Sequence, residues 1–597
     1  MSHLQCIILL VALAAGAHSE ILFSDSFEGP SPVAWGSSWG PAERTQEHAH
    51  DGQWAVKETL EDKHGLSVWW TVFDGYPSTT YRASAWVYIP ADQKKTAASL
   101  AFTHVGSWAI VASASTAEVG EWVKLETVYE NTSGRRMRLQ LFQEGQAAGL
   151  GGCVMYWDSV VVEREIGAIN VADGIRSNPY VIEGLDVTPA GGMKVKVAPG
   201  KLNVDGTPVE VSREVTLEVA PPRIIHVRDE AARLTDDRPQ GYGKGTALKA
   251  CVGTGVSAAG CLDPESLVIK LEKGPEGERL LEGVHWRADK TWGRVGRLPQ
   301  GPLDADTVVY MDYDVSLMRL DTIQVNSAGE VLLRRGGQHK TVPEPPKVDM
   351  YARGLCNVFI PYHCKEIAPE LIYPLGPPFP SPAQAEVQTN TATIPNSLEK
   401  LSTGDEFTLL FWGDSVTCGG DAGSQATAFP SAFTAWLRNK YPQANIKYVN
   451  AGTGGWNSAS KLPLFEEEVI AHEPDLVIIE FVNDMGMDRD MIFANYTQAV
   501  SRIRQVGGEV IILTPHFVRP DWMQGGGDMR TAETRAAVGY LKEFALENNV
   551  GLADASRRWA HLWVEGIPYM TFLRNTINHP EDRGHWLFVE ELQKFFP

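Results

Sequence analysis

Short apolar runs alternate with helical stretches from about residue 396 onward, and this alternation constrains the fold more than any other feature of the 597-residue chain. The runs are five strand candidates, at Phe407 to Trp412, Ile446 to Val449, Leu476 to Phe481, Val510 to Leu513 and Val550 to Ala553. Helices are predicted between them, at Ser431–Lys440, Asp490–Gln505 and Thr531–Glu547. A βα repeat predicts a parallel sheet with helices on both faces. In such sheets, ligands bind at the carboxyl ends of the strands.

Polar motifs follow three of these strands, and a fourth lies near the end of the chain. They are Gly413-Asp414-Ser415, Asn450 to Trp456, Asn483-Asp484 and Asn578-His579-Pro580. In this order they resemble the four sequence blocks of the SGNH hydrolases, also called GDSL lipases and esterases. The resemblance covers about residues 396–597. It implies a flavodoxin-like α/β domain of three layers that acts as a serine esterase.

The resemblance assigns a role to each matching position. Ser415 would be the nucleophile and His579 the general base that removes its proton. The backbone N–H groups of Ser415 and Gly455 and the side-chain amide of Asn483 would form the oxyanion hole. Three further residues are candidates for the pocket, namely Asp414, Trp456 and His516.

The triad acid is the main departure from the family pattern. The family usually has a carboxylate three residues before the histidine, but here that position is Thr576. Asp582 and Asp554 are weak substitutes, and neither matches a motif. The alternatives are a Ser-His dyad oriented by a backbone carbonyl or by Thr576, or an inert domain.

Residues 20–165 show the pattern of an all-β domain, with short alternating strands between Gly, Pro, Asp and Asn. This rhythm predicts a β-sandwich. The first and last strand segments, Phe23 to Gly29 and Tyr156 to Val162, resemble the ends of jelly-roll carbohydrate-binding modules. That resemblance implies glycan binding and a structural calcium, with Glu28 and Asp158 as candidate ligands.

The middle of the chain carries no recognisable chemistry. Residues 166–345 predict one or two small β domains of unknown role, and 346–395 predict a proline-rich linker or strap. Cys251 with Cys261, and Cys356 with Cys364, are close enough in sequence to form disulfides, although free buried thiols fit the sequence equally well.

The N-terminus and the charge bear on location and partners. Residues 1–19 combine a short apolar run with Ala17-His18-Ser19, which predicts a signal peptide and a secreted or periplasmic protein. The net charge of −21 argues against nucleic acid and anionic membranes as partners. No membrane span is predicted after the signal, and no cofactor is expected for catalysis.

Export, a module-like domain and an esterase-like domain together suggest removal of O-acetyl groups from a polysaccharide or oligosaccharide. Two alternatives stay open. One is a lipase or thioesterase of the same fold, and the other is a non-catalytic glycan-binding protein.

Overall fold

A computed structural model describes residues 20–28, 31, 33–61, 66–73, 75, 79–93, 96–132, 134–144, 151–166, 178–382, 384–523 and 535–596. The predicted signal peptide lies outside these residues. The chain divides into two compact units, one at 1–173 with 380–388 and the other at 174–379 with 389–597.

The N-terminal region forms two antiparallel sheets. Its strands are β1 (Glu20–Asp25), β2 (Gly36–Ser38), β3 (Ala42–Thr45), β4 (Ala55–Thr59), β5 (Leu66–Phe73), β6 (Thr79–Tyr88), β7 (Ala97–His104), β8 (Ile110–Thr116), β9 (Trp122–Asn131), β10 (Met137–Glu144) and β11 (Val154–Ile166). One sheet has the order β3-β4-β11-β6-β9 with β1 beside β11, and the other has the order β2-β5-β10-β7-β8. Side chains of both sheets, such as Tyr81, Leu139 and Trp157, share one buried cluster. The predicted β structure is confirmed, and the jelly-roll connectivity stays a prediction.

Glu28 and Asp158, the candidate calcium ligands, both bind backbone N–H groups. Glu28 accepts hydrogen bonds from Gln53 and Trp54, and Asp158 accepts them from His50 and Asp51. Within the described residues, no group of three or more His, Cys, Asp or Glu side chains is placed to hold a metal ion. Each carboxylate accepts these hydrogen bonds through one of its two oxygens, and the calcium site that the resemblance implies stays a prediction.

The middle region is also built from small antiparallel sheets. Its strands are β12 (Val181–Gly184), β13 (Val187–Pro189), β14 (Lys194–Val197), β15 (Gly200–Val204), β16 (Thr207–Val211), β17 (Val215–Glu218), β18 (Ile224–Arg233), β19 (Thr246–Ala247), β20 (Val268–Lys270), β21 (Trp286–Asp289), β22 (Arg294–Arg297), β23 (Val308–Ser316), β24 (Arg319–Asn326), β25 (Val331–Arg334), β26 (Ala352–Ile360) and β27 (Ile372–Pro374). They pack around two buried clusters, one that includes Ile323 and Val358 and one that includes Val309 and Trp286.

The predicted linker at 346–395 is wrong for much of its length. It contains β26, which is almost wholly buried between β24 and β27 in a four-stranded sheet. The mainly apolar segment from Leu355 to Ile360 explains this strand, since β26 itself contains no proline. Prolines cluster on either side of it, at 343–346 and from Pro374 to Pro382. The four cysteines considered for disulfides are buried free thiols.

The C-terminal region is an α/β domain. The helix α1 (Gln384–Thr391) precedes this domain. The helices of the domain are α2 (Pro395–Thr403), α3 (Phe429–Lys440), α4 (Ser458–Lys461), α5 (Phe465–Glu468), α6 (Arg489–Gln505), α7 (Ala536–Glu547), α8 (Ala555–His561) and α9 (Asp582–Gln593). Its strands are β28 (Glu406–Gly413), β29 (Asn445–Gly452), β30 (Leu476–Glu480), β31 (Glu509–Leu513) and β32 (Gly551–Ala553). None of the described helices combines the length and apolarity that membrane crossing needs.

The five strands are parallel in the order β29-β28-β30-β31-β32, which confirms the predicted parallel sheet. Alternate residues of β28 point to opposite faces. Leu409 packs in a cluster with α3, α8 and α9, whereas Leu410 packs in a cluster with α5, α6 and α7. Helices therefore cover both faces, and the carboxyl edge of the sheet is left for the strand-end motifs.

Candidate active site

The turn after β28 presents Ser415 because Gly413 lets two chain segments approach closely. A Cβ at Gly413 would lie 2.1 Å from Thr417 Oγ1 and 2.2 Å from the Glu480 carbonyl oxygen, so no other residue fits. The buried Asp414 side chain accepts the N–H of Val416 at 3.0 Å, which fixes the start of the turn. Ser415 itself is partly exposed at the carboxyl edge.

Three side chains form a hydrogen-bonded line at this edge. Ser415 Oγ lies 2.8 Å from His579 Nε2, and His579 Nδ1 lies 2.7 Å from Asp421 Oδ2. Since an ionised carboxylate only accepts, Nδ1 carries a hydrogen and donates a hydrogen bond to Asp421. Nε2 is then left to accept a hydrogen bond from the serine hydroxyl. The side chains of His579 and Asp421 are 22% and 15% exposed, so both are shielded from solvent but reachable.

The sequence did not predict Asp421, and the two acids that it suggested lie elsewhere. Asp582 accepts the N–H of Gly423 at 2.6 Å, and Asp554 caps α8 and forms an ion pair with Lys542 at 2.6 Å. Asp421 follows the glycine pair of the nucleophile loop and adopts a left-handed φ of 59°. Its one signal in the sequence is that it is the sole carboxylate between Ser415 and α3.

Thr576, at the usual position of the acid, makes a different contact. Its Oγ1 accepts the N–H of Ala259, a residue of the middle region, at 3.3 Å. Thr576 also has a left-handed φ of 59°, which is uncommon for a β-branched residue. The middle region therefore contacts the loop that carries His579.

Two neighbouring side chains hold that loop from the other side. Asn575 Oδ1 accepts three backbone N–H groups, those of Ile577, Asn578 and His579, at 2.8–3.0 Å. His516, a predicted pocket residue, is instead fully buried, and its Nε2 donates to the Asn578 carbonyl at 2.7 Å. Burial lowers the pKa of His516 well below its ordinary value, so its neutral ring supports the loop rather than lining a pocket.

The oxyanion candidates meet around Ser415. Gly455 has a φ of +79°, and its neighbour Gly454 lies close to Ser415 Cβ. Within the described part of the chain, the N–H groups of Ser415 and Gly455 donate to no protein acceptor. Asn483 is fixed by its own N–H, which donates to Asp414 at 2.9 Å, while its side-chain amide donates to the Trp456 carbonyl at 2.9 Å. Of the predicted pocket residues, Trp456 is exposed and Asp414 is buried beneath the turn.

Three buried carboxyl groups lie under the site. Burial, with Asp484 nearby, raises the pKa of Asp414 to about 7, and burial raises the pKa of Asp484 to about 6. Glu480 is fully buried, and burial together with Asp414 raises its pKa well above the ordinary 4.5. Its Oε2 accepts from Thr417 Oγ1 at 2.9 Å, so Glu480 links the end of β30 to the nucleophile turn.

Replacing Glu480 with glutamine should flatten the pH dependence of stability. A raised pKa means that the folded protein binds more protons than the unfolded chain above pH 4.5, so the unfolding free energy falls as the pH rises toward the folded pKa. Each unit by which the folded pKa exceeds the unfolded pKa corresponds to about 1.4 kcal/mol of unfolding free energy. Thermal unfolding from pH 5 to 9 checks this, with the exposed Glu467→Gln as control. Equal slopes for wild type and Glu480→Gln would contradict it.

Comparison with known proteins agrees with this geometry. The sequence model of the GDSL-like Lipase/Acylhydrolase family matches residues 411–587, which include Ser415, Gly455, Asn483 and His579. An acetylxylan esterase from Geobacillus stearothermophilus is 29% identical over 211 residues, which are 32% of this chain and 93% of that protein.

Solved structures give the same kind of match. A two-domain esterase active on acetylated mannans is 22% identical, with a TM-score of 0.29; the match covers 34% of this chain and about half, 52%, of that one. A catalytic mutant of an acetylxylan esterase from Geobacillus stearothermophilus is 24% identical, with a TM-score of 0.28, over 32% of this chain and 93% of that one. The family match shows that residues 411–587 form a domain of the GDSL-like lipase/acylhydrolase type.

Proposed function

We propose that this chain is a serine esterase that removes O-acetyl groups from a polysaccharide through an acyl-enzyme on Ser415. The observation that carries the proposal is the line Ser415–His579–Asp421, with both hydrogen bonds shorter than 3 Å. Beside it are the N–H groups of Ser415 and Gly455, which donate to no acceptor among the residues that the structure describes. A serine hydroxyl is a weak nucleophile without a base, and this line supplies one.

Acylation follows from the geometry. As Ser415 Oγ attacks the acetyl carbonyl carbon, its proton passes to His579 Nε2, and Asp421 stabilises the imidazolium that forms. The oxyanion accepts from the N–H groups of Ser415 and Gly455 and from the amide of Asn483, which turns from the Trp456 carbonyl. The tetrahedral intermediate then collapses, and His579 returns the proton to the departing sugar hydroxyl.

Deacylation repeats these roles with water. His579 Nε2 takes a proton from a water molecule whose oxygen attacks the acetyl-serine. The same donors hold the second oxyanion, and the proton goes to Ser415 Oγ as acetate leaves. Only side chains and backbone of this chain take part, and catalysis without a cofactor stays a prediction.

The substrate class is supported by relatives rather than by the site alone. One is named for acetylxylan and another is described as active on acetylated mannans. Acetate release from acetylated xylan and acetylated mannan tests the proposal, beside 4-nitrophenyl esters of increasing acyl length. We expect acetyl to be the best acyl group. A preference for long chains would favour a lipase or thioesterase instead, and hydrolysis of no ester would reject the proposal.

Replacing Asn483 with aspartate should lower kcat by about 10²–10³, the typical cost of one oxyanion donor. The variant keeps the size of the side chain and the backbone N–H that Asp414 holds, but offers the oxyanion an acceptor in place of a donor. Kinetics on 4-nitrophenyl acetate measure the loss. A change in KM with kcat intact would show that Asn483 binds substrate without stabilising the oxyanion.

Export also belongs to this proposal, since polysaccharides of this kind lie outside the cell. N-terminal sequencing of the secreted protein is expected to begin at Glu20, directly after the predicted signal.

A further inference from the structure

Four side chains form a row in the unit that contains the site, and we call it the aromatic row. Tyr242 and Trp292 belong to the middle region and meet edge to face, with ring centroids 5.8 Å apart. Arg519 and Trp522 belong to the loop after β31. The Arg519 guanidinium lies 5.0 Å from the Trp292 ring and 5.8 Å from the Trp522 ring. Two distant segments of the chain therefore contribute to one row of contacting side chains.

The aromatic row begins beside the catalytic histidine. The N–H of Arg519 donates to the Ile577 carbonyl at 2.7 Å, and Ile577 is two residues before His579. Two residues span at most about 7 Å of chain. The loop of Arg519 also follows a strand of the parallel sheet, so it lies at the same carboxyl edge as Ser415 and Asn483.

Both ends of the row are open to solvent. Tyr242 is 45% and Trp522 is 43% exposed, whereas Trp292 between them is 8% exposed. A single exposed aromatic ring is ordinary on a protein surface. Here a buried ring and a guanidinium hold two exposed rings, one of them on a loop that is hydrogen-bonded to the loop of His579. Such rings offer flat faces to the C–H surfaces of sugars.

The charge of the row indicates what kind of polymer it can bind. Arg519 Nε donates to the carboxylate of Asp521, so the only cation of the row is paired within its own loop. A row that is locally neutral, on a protein with a net charge of −21, offers little attraction to an anionic polymer. Neutral pyranose rings, by contrast, can bind to aromatic ring faces with a few hydrogen bonds and require no opposite charge.

We propose that the aromatic row is a subsite for a neutral polysaccharide, which binds the sugars next to the acetylated one. This inference rests on the proposed function, because it assumes that the substrate of Ser415 is a glycan. It also gives the middle region a role, as a wall of the substrate site that contributes Tyr242 and Trp292.

Binding to the intact chain tests the subsite without any turnover. In a Ser415→Ala background, affinity electrophoresis with acetylated xylan and acetylated glucomannan measures Kd. Trp522→Ala and Tyr242→Ala should each raise Kd by about 10-fold, the usual effect of truncating a contacting aromatic ring. Trp522→Phe keeps a ring and should restore most of the affinity. Tyr351→Ala, at another exposed aromatic residue of the same unit, serves as control.

The outcomes separate the two proposals. If both alanine variants bind the polymers as tightly as their parent, the row only packs the middle region against the loop, and the subsite is wrong. If Trp522→Phe loses as much affinity for the polymer as Trp522→Ala, then sugars do not stack on this ring. If the wild type binds polymer through the row but hydrolyses no acetyl ester, the subsite stands and the proposed esterase function fails.

Discussion

Replacing Ser415 with alanine is expected to lower kcat on 4-nitrophenyl acetate by a factor on the order of 10⁵–10⁶. In the proposed mechanism, the Ser415 hydroxyl 2.8 Å from His579 Nε2 forms the acyl-enzyme, and alanine removes it with little change of shape. The oxyanion donors would remain, so a small residual rate above that of water is expected.

Ser424→Ala is the matched control for this change. Ser424 lies on the same loop and is exposed, and its hydroxyl bonds to Thr427 within the same turn. Its kcat should stay within about twofold of wild type, as for an ordinary surface substitution. A Ser415→Ala enzyme that keeps a tenth or more of the wild-type rate would show that the hydrolysis occurs at another site.

The second large effect is expected at Asp421. Asparagine at this position keeps the size of the side chain but cannot stabilise the imidazolium, and it can hold the ring in the wrong tautomer. The cost in a triad that depends on its acid is about 10⁴ in kcat. Kinetics of Asp421→Asn on 4-nitrophenyl acetate measure it directly.

Asp582→Asn is the control for Asp421, because Asp582 is the nearby acid that the sequence suggested. Its carboxylate accepts the N–H of Gly423, which the amide oxygen of asparagine can still accept. We expect less than a threefold change. If Asp421→Asn lowers kcat by less than tenfold, or if Asp582→Asn lowers kcat more than Asp421→Asn does, then His579 is oriented by another group.

The parallel sheet could be predicted because each of its strands is a short apolar run followed by a polar turn. The strand β28 spans Glu406–Gly413, where Phe407 to Trp412 was predicted. The strand β31 spans Glu509–Leu513, where Val510 to Leu513 was predicted. Buried parallel strands read as continuous apolar segments, so periodicity finds them. The buried β26 reads in the same way, but the prolines that follow it suggested a linker.

The site could be predicted where the chain brings local motifs to one edge. Ser415, Gly455 and Asn483 each follow a strand, so sequence order alone places them near one another. Asp421 could not be found in this way, because a carboxylate on the nucleophile loop is 158 residues from His579 and only the folded loops bring them together. His516 follows a strand too, yet it lies fully buried beneath the histidine loop.

The position of Asp421 also bears on the non-catalytic alternative. That alternative rested on Thr576 standing where the family has its acid. In the structure, the Nδ1 of His579 has a carboxylate partner from another loop, and Thr576 contacts the middle region instead. The reason for expecting an inert domain is thereby removed, and kinetics are left to decide.

The most direct test of the central claim is the mass of the enzyme during turnover. Acid quenching within milliseconds of mixing with 4-nitrophenyl acetate, followed by peptide mass spectrometry, should find one acetyl group on the peptide that contains Ser415. The Asp421→Asn enzyme should acquire it far more slowly, and the Ser415→Ala enzyme not at all. Acetate release by the wild type with no acetyl group on that peptide, or with the acetyl group on another residue, would contradict the account.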